Sequence, residues 1–347
     1  MTIIDTGRRG PDPRAMAVRA DPAQAWRTEP YARKLQYALR HGAELPKNAS
    51  EPTLDSALER IFTEPDFLHS RWLADGAKRS DAVARLVTPF EMGTGFLASP
   101  WLLVTNNHVL PDAATAAGTE VTFRYEEDTR GRTTRAVKTR LDPDRCFLTS
   151  DQDELDYTAV AVQAVNGKAP GSVFGSIPMV GATGKILSGH PVNIVQHPSG
   201  RSREIAVRNN LLVGVDDARY LTYLTDTEPG SSGSPVLNDA WELVALHSRA
   251  EQAQDEQGRP VDIDGRPATD DTPESRRVWV ANKGIRCSAI VADLTARNGT
   301  FQTTKRKFER LRNLALFRAP EQKRLLKAYD GPPKTSAPAR TYYTPKH

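Results

Sequence analysis

The stretch TDTEPGSSGSPV, residues 225–236, sets two serines side by side between two glycines. The fold turns on whether this is a polar turn or the place where a serine hydroxyl attacks. A serine hydroxyl is a poor nucleophile until a base takes its proton. A histidine does so best when a buried carboxylate fixes its tautomer and steadies its charge. The oxyanion then formed needs backbone N–H donors, and flanking glycines let the chain turn tightly enough to aim them. The sequence supplies both partners at the ends of apolar runs. His108 follows one in VTNNHVLP, 104–111, and Asp156 precedes one in DELDYTAVAV, 153–162.

Around these points the chain reads as short apolar or β-branched runs separated by turn residues. AVARLVT, GTGFLAS, WLLVTNN, TEVTFRY, RAVKTRL, RCFLTS and YTAVAVQ precede residue 164. VNIVQHP, SREIAVR, NLLVGV, RYLTYLT, SPVLN, WELVALHS and RVWVAN follow a Gly- and Pro-rich connection over 166–185. Two such batches joined by a loop predict a mainly β protein with two antiparallel barrels or sandwiches packed together. Upstream, DPAQAWRTEPYARKLQYALRHG reads as a helix interrupted near Pro30. SEPTLDSALERIF reads as a second with Ser50 as N-cap, and HSRWLADGAKRS as a third. Past Thr304, KRKFERLRNLALFR puts Phe308, Leu311 and Ala315 on one helical face, and a shorter helix starts at Pro320.

The order His108, Asp156, serine resembles that of chymotrypsin-type, trypsin-like serine peptidases. TNNHVL resembles that family's histidine segment and LDYTAV its aspartate segment. GSSGSPV resembles its Gly-x-Ser-Gly-x-Pro segment, in the form seen in bacterial glutamyl endopeptidases. The resemblance covers roughly residues 80–295 and implies a double β-barrel endopeptidase working through an acyl-enzyme. It makes Ser232 the nucleophile, His108 the base and Asp156 its orienting partner. The N–H groups of Gly230 and Ser232 become the oxyanion hole, and Ser248 in VALHSRA the support of the aspartate. An α/β-hydrolase elbow is excluded, because Gly-x-Ser-x-Gly around Ser232 would need glycine where Ser234 stands. Ser231 stands where animal trypsins carry the aspartate that pairs with a newly freed N-terminus, so no activation of that kind is expected. On specificity the resemblance pulls two ways. Thr227 and His247 match positions that hold an acidic side chain in glutamyl endopeptidases. Asp226 matches the position that holds Arg or Lys in trypsins. The count leans toward an acidic side chain, two positions against one.

Composition sets the outer limits. The 347 residues are 38% hydrophobic and 26% charged, with 25 Pro and 23 Gly, which fits a turn-rich globular chain. No apolar run is long enough for a signal peptide or a membrane span, so the expected location is the cytoplasm. Cys146 and Cys287 are too few for a disulfide framework and are expected as buried free thiols. No cofactor or metal spacing occurs, and the glycines of the acidic stretch 255–271 miss the position a calcium hand needs. That stretch reads as a solvated loop, and His190 and His197 read as surface or loop residues. From Thr295 onward thirteen Lys or Arg face three acids, against a net charge of +4 for the whole chain. The rest is therefore negative.

The expected organisation is a disordered start at 1–19, a helical region at 20–80 and a peptidase domain at 81–295. Within that domain the barrels span about 81–164 and 186–295, linked by 165–185. A basic helical tail at 296–347 ends in a disordered stretch. The expected partner is a protein or peptide substrate, with nucleic acid disfavoured. The alternative function is an effector or adaptor in which the N-terminal helices or the basic tail dock a protein partner and the peptidase fold is a restrained output or a binding module.

Overall fold

The computed structural model describes residues 18–62, 68–216, 218–255 and 257–300. The 1–17 segment and the tail from 301, including both helices expected past Thr304, lie outside the described residues.

The first sheet holds β1 (Val83–Val87), β2 (Met92–Leu97), β3 (Leu102–Thr105), β4 (Glu120–Phe123), β5 (Val137–Arg140), β6 (Phe147–Ser150) and β7 (Tyr157–Ala161). Their order is β5-β4-β1-β2-β3-β7-β6, and each pairing is antiparallel. Position in the sheet decides burial. Central β3 (LLVT) and β7 (YTAVA) are buried throughout, whereas β5 (VKTR), at the edge, alternates half-buried and exposed residues. A bridge between Leu141 and Val162 draws the β5 and β7 ends together and curls the sheet into a barrel.

The second sheet holds β8 (Asn193–Gln196), β9 (Glu204–Ala206), β10 (Leu212–Val215), β11 (Tyr220–Tyr223), β12 (Pro235–Leu237), β13 (Leu243–Gln252) and β14 (Trp279–Arg286). The order is β10-β11-β14-β13-β12-β8-β9. A Pro191–Leu211 bridge closes it in the same way. The protein is mainly β, with two antiparallel barrels of the chymotrypsin type, as expected. The connection 166–185 is more than a tether. Its helix Pro170–Phe174 seats Phe174 on Phe123 with ring centroids 4.3 Å apart, and Ile177 and Met179 complete the first core.

The N-terminal helices are built onto the second barrel. Helix α1 (Pro22–Ala25) runs into a tight turn at Trp26–Thr28, followed by α2 (Tyr31–Arg40), α3 (Glu51–Phe62) and α4 (Arg71–Ser80). Ser50 caps α3 as expected, its Oγ accepting from Thr53 N at 3.4 Å. Trp26, Tyr37, Leu54 and Leu58 share a core with Leu187, from the loop before β8. Inside this junction the Lys34 ammonium donates to Glu51 and Asp55 at 2.7 and 2.8 Å. Glu29 accepts from Ser188 N and Oγ. On the other flank the indoles of Trp72 and Trp241 pack at a tilt, with ring centroids 4.7 Å apart, and donate to Asp239 O and Trp72 O respectively. A Cβ on Gly76 would meet the Trp241 ring at 2.3 Å, so only glycine fits there.

His190 and His197 lie in the loops that flank β8, as expected, but neither is at the surface. His197 is fully buried, its Nδ1 3.0 Å from Arg201 O, and burial pushes its pKa down to about 4. The His190 ring stacks with Tyr37 and Phe62 at 5.0 and 4.4 Å, and burial lowers its pKa to about 4 as well. Both rings close packing gaps that the flanking residues do not reveal. The acidic stretch is mostly exposed, as expected, with Val261 anchored in a small core beside Ala253 and Val278. A helix read in neither batch, Cys287–Thr300, follows β14 without a turn residue and buries Ile290, Val291 and Leu294. Cys146 and Cys287 are free and buried. Among the described residues no helix is long and apolar enough to cross a membrane.

Candidate active site

Strand register brings the first two candidates together. β3 and β7 are antiparallel with Thr105 opposite Thr158, so the residues just past β3 lie beside those just before β7. His108 and Asp156 occupy those places. The His108 backbone N–H donates to Asp156 Oδ1 at 3.1 Å, and ring Nδ1 is 3.0 Å from both carboxylate oxygens. An ionised carboxylate only accepts, so Nδ1 carries the proton and Nε2 the lone pair. Asp156 is 1% exposed and held at φ +39°, a left-handed conformation for a non-glycine. The carbonyl of Asp156 is held by Asn106 Nδ2 at 2.9 Å. Ser248 Oγ completes the shell, donating to Asp156 Oδ2 at 2.7 Å.

The turn between β11 and β12 presents Ser232. Gly230 and Gly233 sit at φ +94° and +85°. A Cβ on Gly233 would lie 2.0 Å from Thr94 O, and one on Gly230 2.8 Å from His197 O. The two serines diverge. Ser231 is fully buried, its Oγ accepting from Glu228 N at 3.2 Å. Ser232 is half-buried, and its Oγ donates to Ser248 O at 3.5 Å. No hydrogen bond joins Ser232 and the His108 ring among the described residues. Ser248 therefore touches both the Asp156 carboxylate and the Ser232 hydroxyl.

The N–H groups of Ser231, Gly233 and Ser234 are taken by Glu228 O, His247 O and Ser231 O. Those of Gly230 and Ser232 donate to no protein atom among the described residues. The turn is braced from outside. Thr94 N donates to Ser232 O at 2.9 Å, and Thr94 Oγ1 to Gly230 O at 2.8 Å. Arg201 grips both oxygens of Glu228, at 2.6 and 3.0 Å, and Ser199 Oγ adds a third bond. Arg201, then Ser199, hold the Glu228 carboxyl down at about 2.

The specificity candidates separate. Asp226 is exposed, its carbonyl accepting from Gln196 Nε2. Thr227 and His247 are buried. Thr227 Oγ1 donates to Asn282 Oδ1 at 2.7 Å, and Asn282 Nδ2 to Thr225 O. His247 Nδ1 lies 2.7 Å from the Tyr223 hydroxyl. Burial pushes the His247 pKa down to about 3, so the ring is neutral near pH 7. Burial also holds the Tyr223 hydroxyl protonated, well above its usual range. Tyr223 then donates to Nδ1, which leaves the His247 proton on Nε2. Sequence reasoning missed the bracing set of Thr94, Asn106, Arg201 and Glu228. Asn106 stands two residues before His108 in the quoted motif, but Thr94 reaches the site from β2 and Arg201 from the loop between β8 and β9, with no local mark.

Residues 93–246 match the family model of the trypsin-like peptidase domain. The uncharacterized protein y4fB of Sinorhizobium fredii (strain NBRC 101917 / NGR234) is 36% identical over 268 residues, 69% of this chain and 39% of that protein. Secreted RxLR effector protein 73 of Plasmopara viticola is 27% identical over 191 residues, 49% of this chain and 45% of that protein. The chain thus spans less than half the length of these curated relatives. A solved Glu endopeptidase in complex with MPD is similar with a TM-score of 0.43 at 15% identity, over 64% of this chain and 92% of that one. The segment that carries His108, Asp156 and Ser232, residues 93–246, belongs to the trypsin-like peptidase family.

Proposed function

We propose that this chain is a serine endopeptidase in which Ser232 attacks the carbonyl of a peptide bond. The observation that carries the reading is the double contact of Ser248, which ties the Ser232 hydroxyl to the carboxylate that orients His108. Ser232 Oγ turns from Ser248 O to His108 Nε2 when substrate binds, as catalytic hydrogen bonds do. His108 takes the Oγ proton while the Oγ–C bond forms. The carbonyl oxygen becomes negative and accepts from the N–H groups of Gly230 and Ser232. Asp156 steadies the imidazolium. The tetrahedral centre collapses, the C–N bond breaks, and His108 hands its proton to the leaving amine. A water activated by His108 then attacks the acyl-enzyme, and Ser232 regains its proton. No step requires a metal or cofactor.

The proposed preference before the cleaved bond is for an acidic side chain. Exposure of Asp226 favours this, since it removes the carboxylate that would attract Arg or Lys. The His247 Nε2–H is the donor that an acidic side chain meets. Recognition is then by a neutral donor, so glutamate leads glutamine by a modest factor and arginine by a large one. A peptide panel varied only at that residue tests the preference, and faster cleavage after arginine would refute it. Labelling by a fluorophosphonate tests the chemistry: wild type is expected to label, and Ser232→Ala is not. The effector alternative gains no support from the helices, which share a core with the second barrel.

A further inference from the structure

We infer that the cleft between helix α2 and the second barrel, lined by Arg33, Lys185 and Arg286, binds the phosphate group of a small soluble ligand. The cleft contains none of the residues used in the peptidase reading and stands apart from it. Three segments meet there: α2, the end of the connection between the barrels, and the junction of β14 with the helix Cys287–Thr300. Gly184 seats the second segment on the first. Its φ is +73°, and a Cβ there would stand 2.8 Å from Gln36 O. Arg33, Gln36, Thr183, Lys185, Arg286 and Ser288 bring polar side chains to the lining, and no carboxylate does among the described residues.

All six side chains can donate a hydrogen bond, and three carry positive charge. Lys185 is 7% exposed, and its ammonium donates to Val180 O at 2.5 Å and Leu243 O at 2.8 Å. No carboxylate pairs with it among the described residues. A buried charge held only by carbonyl dipoles costs free energy that a nearby anion recovers. Arg33 Nε reaches one acid, Glu29, at 2.9 Å, and that carboxylate also accepts from Ser188. Burial lowers the Arg33 pKa, Glu29 offsets part of this, and the charge of Arg286 lowers it further. The two guanidiniums therefore repel each other, and an anion between them replaces that repulsion with two attractions. The side chains of Gln36, Thr183 and Ser288 take no hydrogen-bond partner among the described residues. Ser288 is the second residue of a 14-residue helix, so the positive end of that helix adds to the same field. A phosphate ester brings a charge of about −1.5 to −2 at pH 7 and three acceptor oxygens, which suits this many donors. A carboxylate brings one charge and two oxygens.

The test follows the melting temperature of the full chain against inorganic phosphate, glycerol phosphate and ATP, each up to about 10 mM at fixed ionic strength. In wild type the melting temperature should rise and saturate. An equal rise with all three marks free phosphate as sufficient, and a larger rise with glycerol phosphate or ATP marks an ester as the ligand. Ser288→Asp and Gln36→Glu each place a carboxylate in the cleft at a side chain whose removal breaks no hydrogen bond among the described residues. Either should weaken binding by about tenfold or more, read as the midpoint of the rise and by titration calorimetry. Both variants should melt no lower than wild type in ligand-free buffer, which separates a lost site from a lost fold. General salting-out by phosphate would raise all three proteins alike. No saturable rise with any of the three ligands overturns the site, and so does a rise that both variants keep.

Discussion

The two barrels have the same number of strands and close by the same kind of bridge, yet they build their halves of the site by different means. The first barrel positions His108 and Asp156 through the β3–β7 ladder, where hydrogen-bonded register sets the distance. The second barrel positions Ser232 on a turn, through two glycines at positive φ and an outside brace from Thr94, Arg201 and Ser199. A ladder repeats over many residues and absorbs local change. A turn packed against Thr94 O and His197 O has no slack, since one added methyl group meets backbone atoms. The base pair should thus be sensitive to chemistry, and the serine turn to shape.

The sharpest break is chemical on both sides. Ser232→Ala should reduce hydrolysis by about 10⁶-fold, read as kcat in a burst-free peptide assay. Asp156→Asn keeps size and register but reverses the donor and acceptor roles toward His108. It should cost about 10⁴-fold in kcat with little change in melting temperature, and a large melting shift would mean that Asp156 is structural. Gly230→Ala tests shape. It should lower kcat about 10²- to 10³-fold by turning one N–H donor away, while Ser232 still accepts a fluorophosphonate slowly. Glu228→Gln loosens the brace without adding bulk, and a fall of about three- to tenfold in kcat with KM unchanged is expected. No fall in kcat would show that Thr94 alone holds the turn.

The smallest effect is on stability. His190 and His197 have folded pKa values lowered to about 4 by burial, and His247 to about 3. The unfolded chain, near 6.5, binds more protons than the folded one between these limits. Stability is therefore full above pH 6.5, falls as pH drops through that window and levels off below the folded values. Calorimetry from pH 7 to 4 should show the melting temperature falling. His190→Gln should flatten part of the slope, and an unchanged slope would remove His190 from the account.

The strands were legible because each run is short, apolar or β-branched, and bounded by Gly, Pro or charged residues. AVARLVT became β1 and WELVALHS the start of β13. The helix from Cys287 escaped because β14 runs into it with no turn residue between. The burial of His190 and His197 escaped because Gly189 and Pro191, and Gln196 and Pro198, carry no local sign of the rings or carbonyls that surround the two histidines. Of the candidate site, His108 and Asp156 stood out at the ends of apolar runs, whereas Ser232, Gly230 and Ser248 were implied by the resemblance to trypsin-like peptidases. Thr94, Arg201 and Glu228 could not be named, since their contacts cross between strands and loops far apart in the chain.

By itself the sequence determined the strand periodicity, the order of His108, Asp156 and Ser232, and the glycines that a strained turn requires. Those are local properties, written in residue type and spacing. Only the tertiary structure decided that Ser231 points inward and Ser232 toward Ser248. Packing likewise left Asp226 in solvent and drove His247 into a neutral state. Burial and direction belong to the packed chain, because a residue's environment is made by partners that its own neighbours in sequence do not specify.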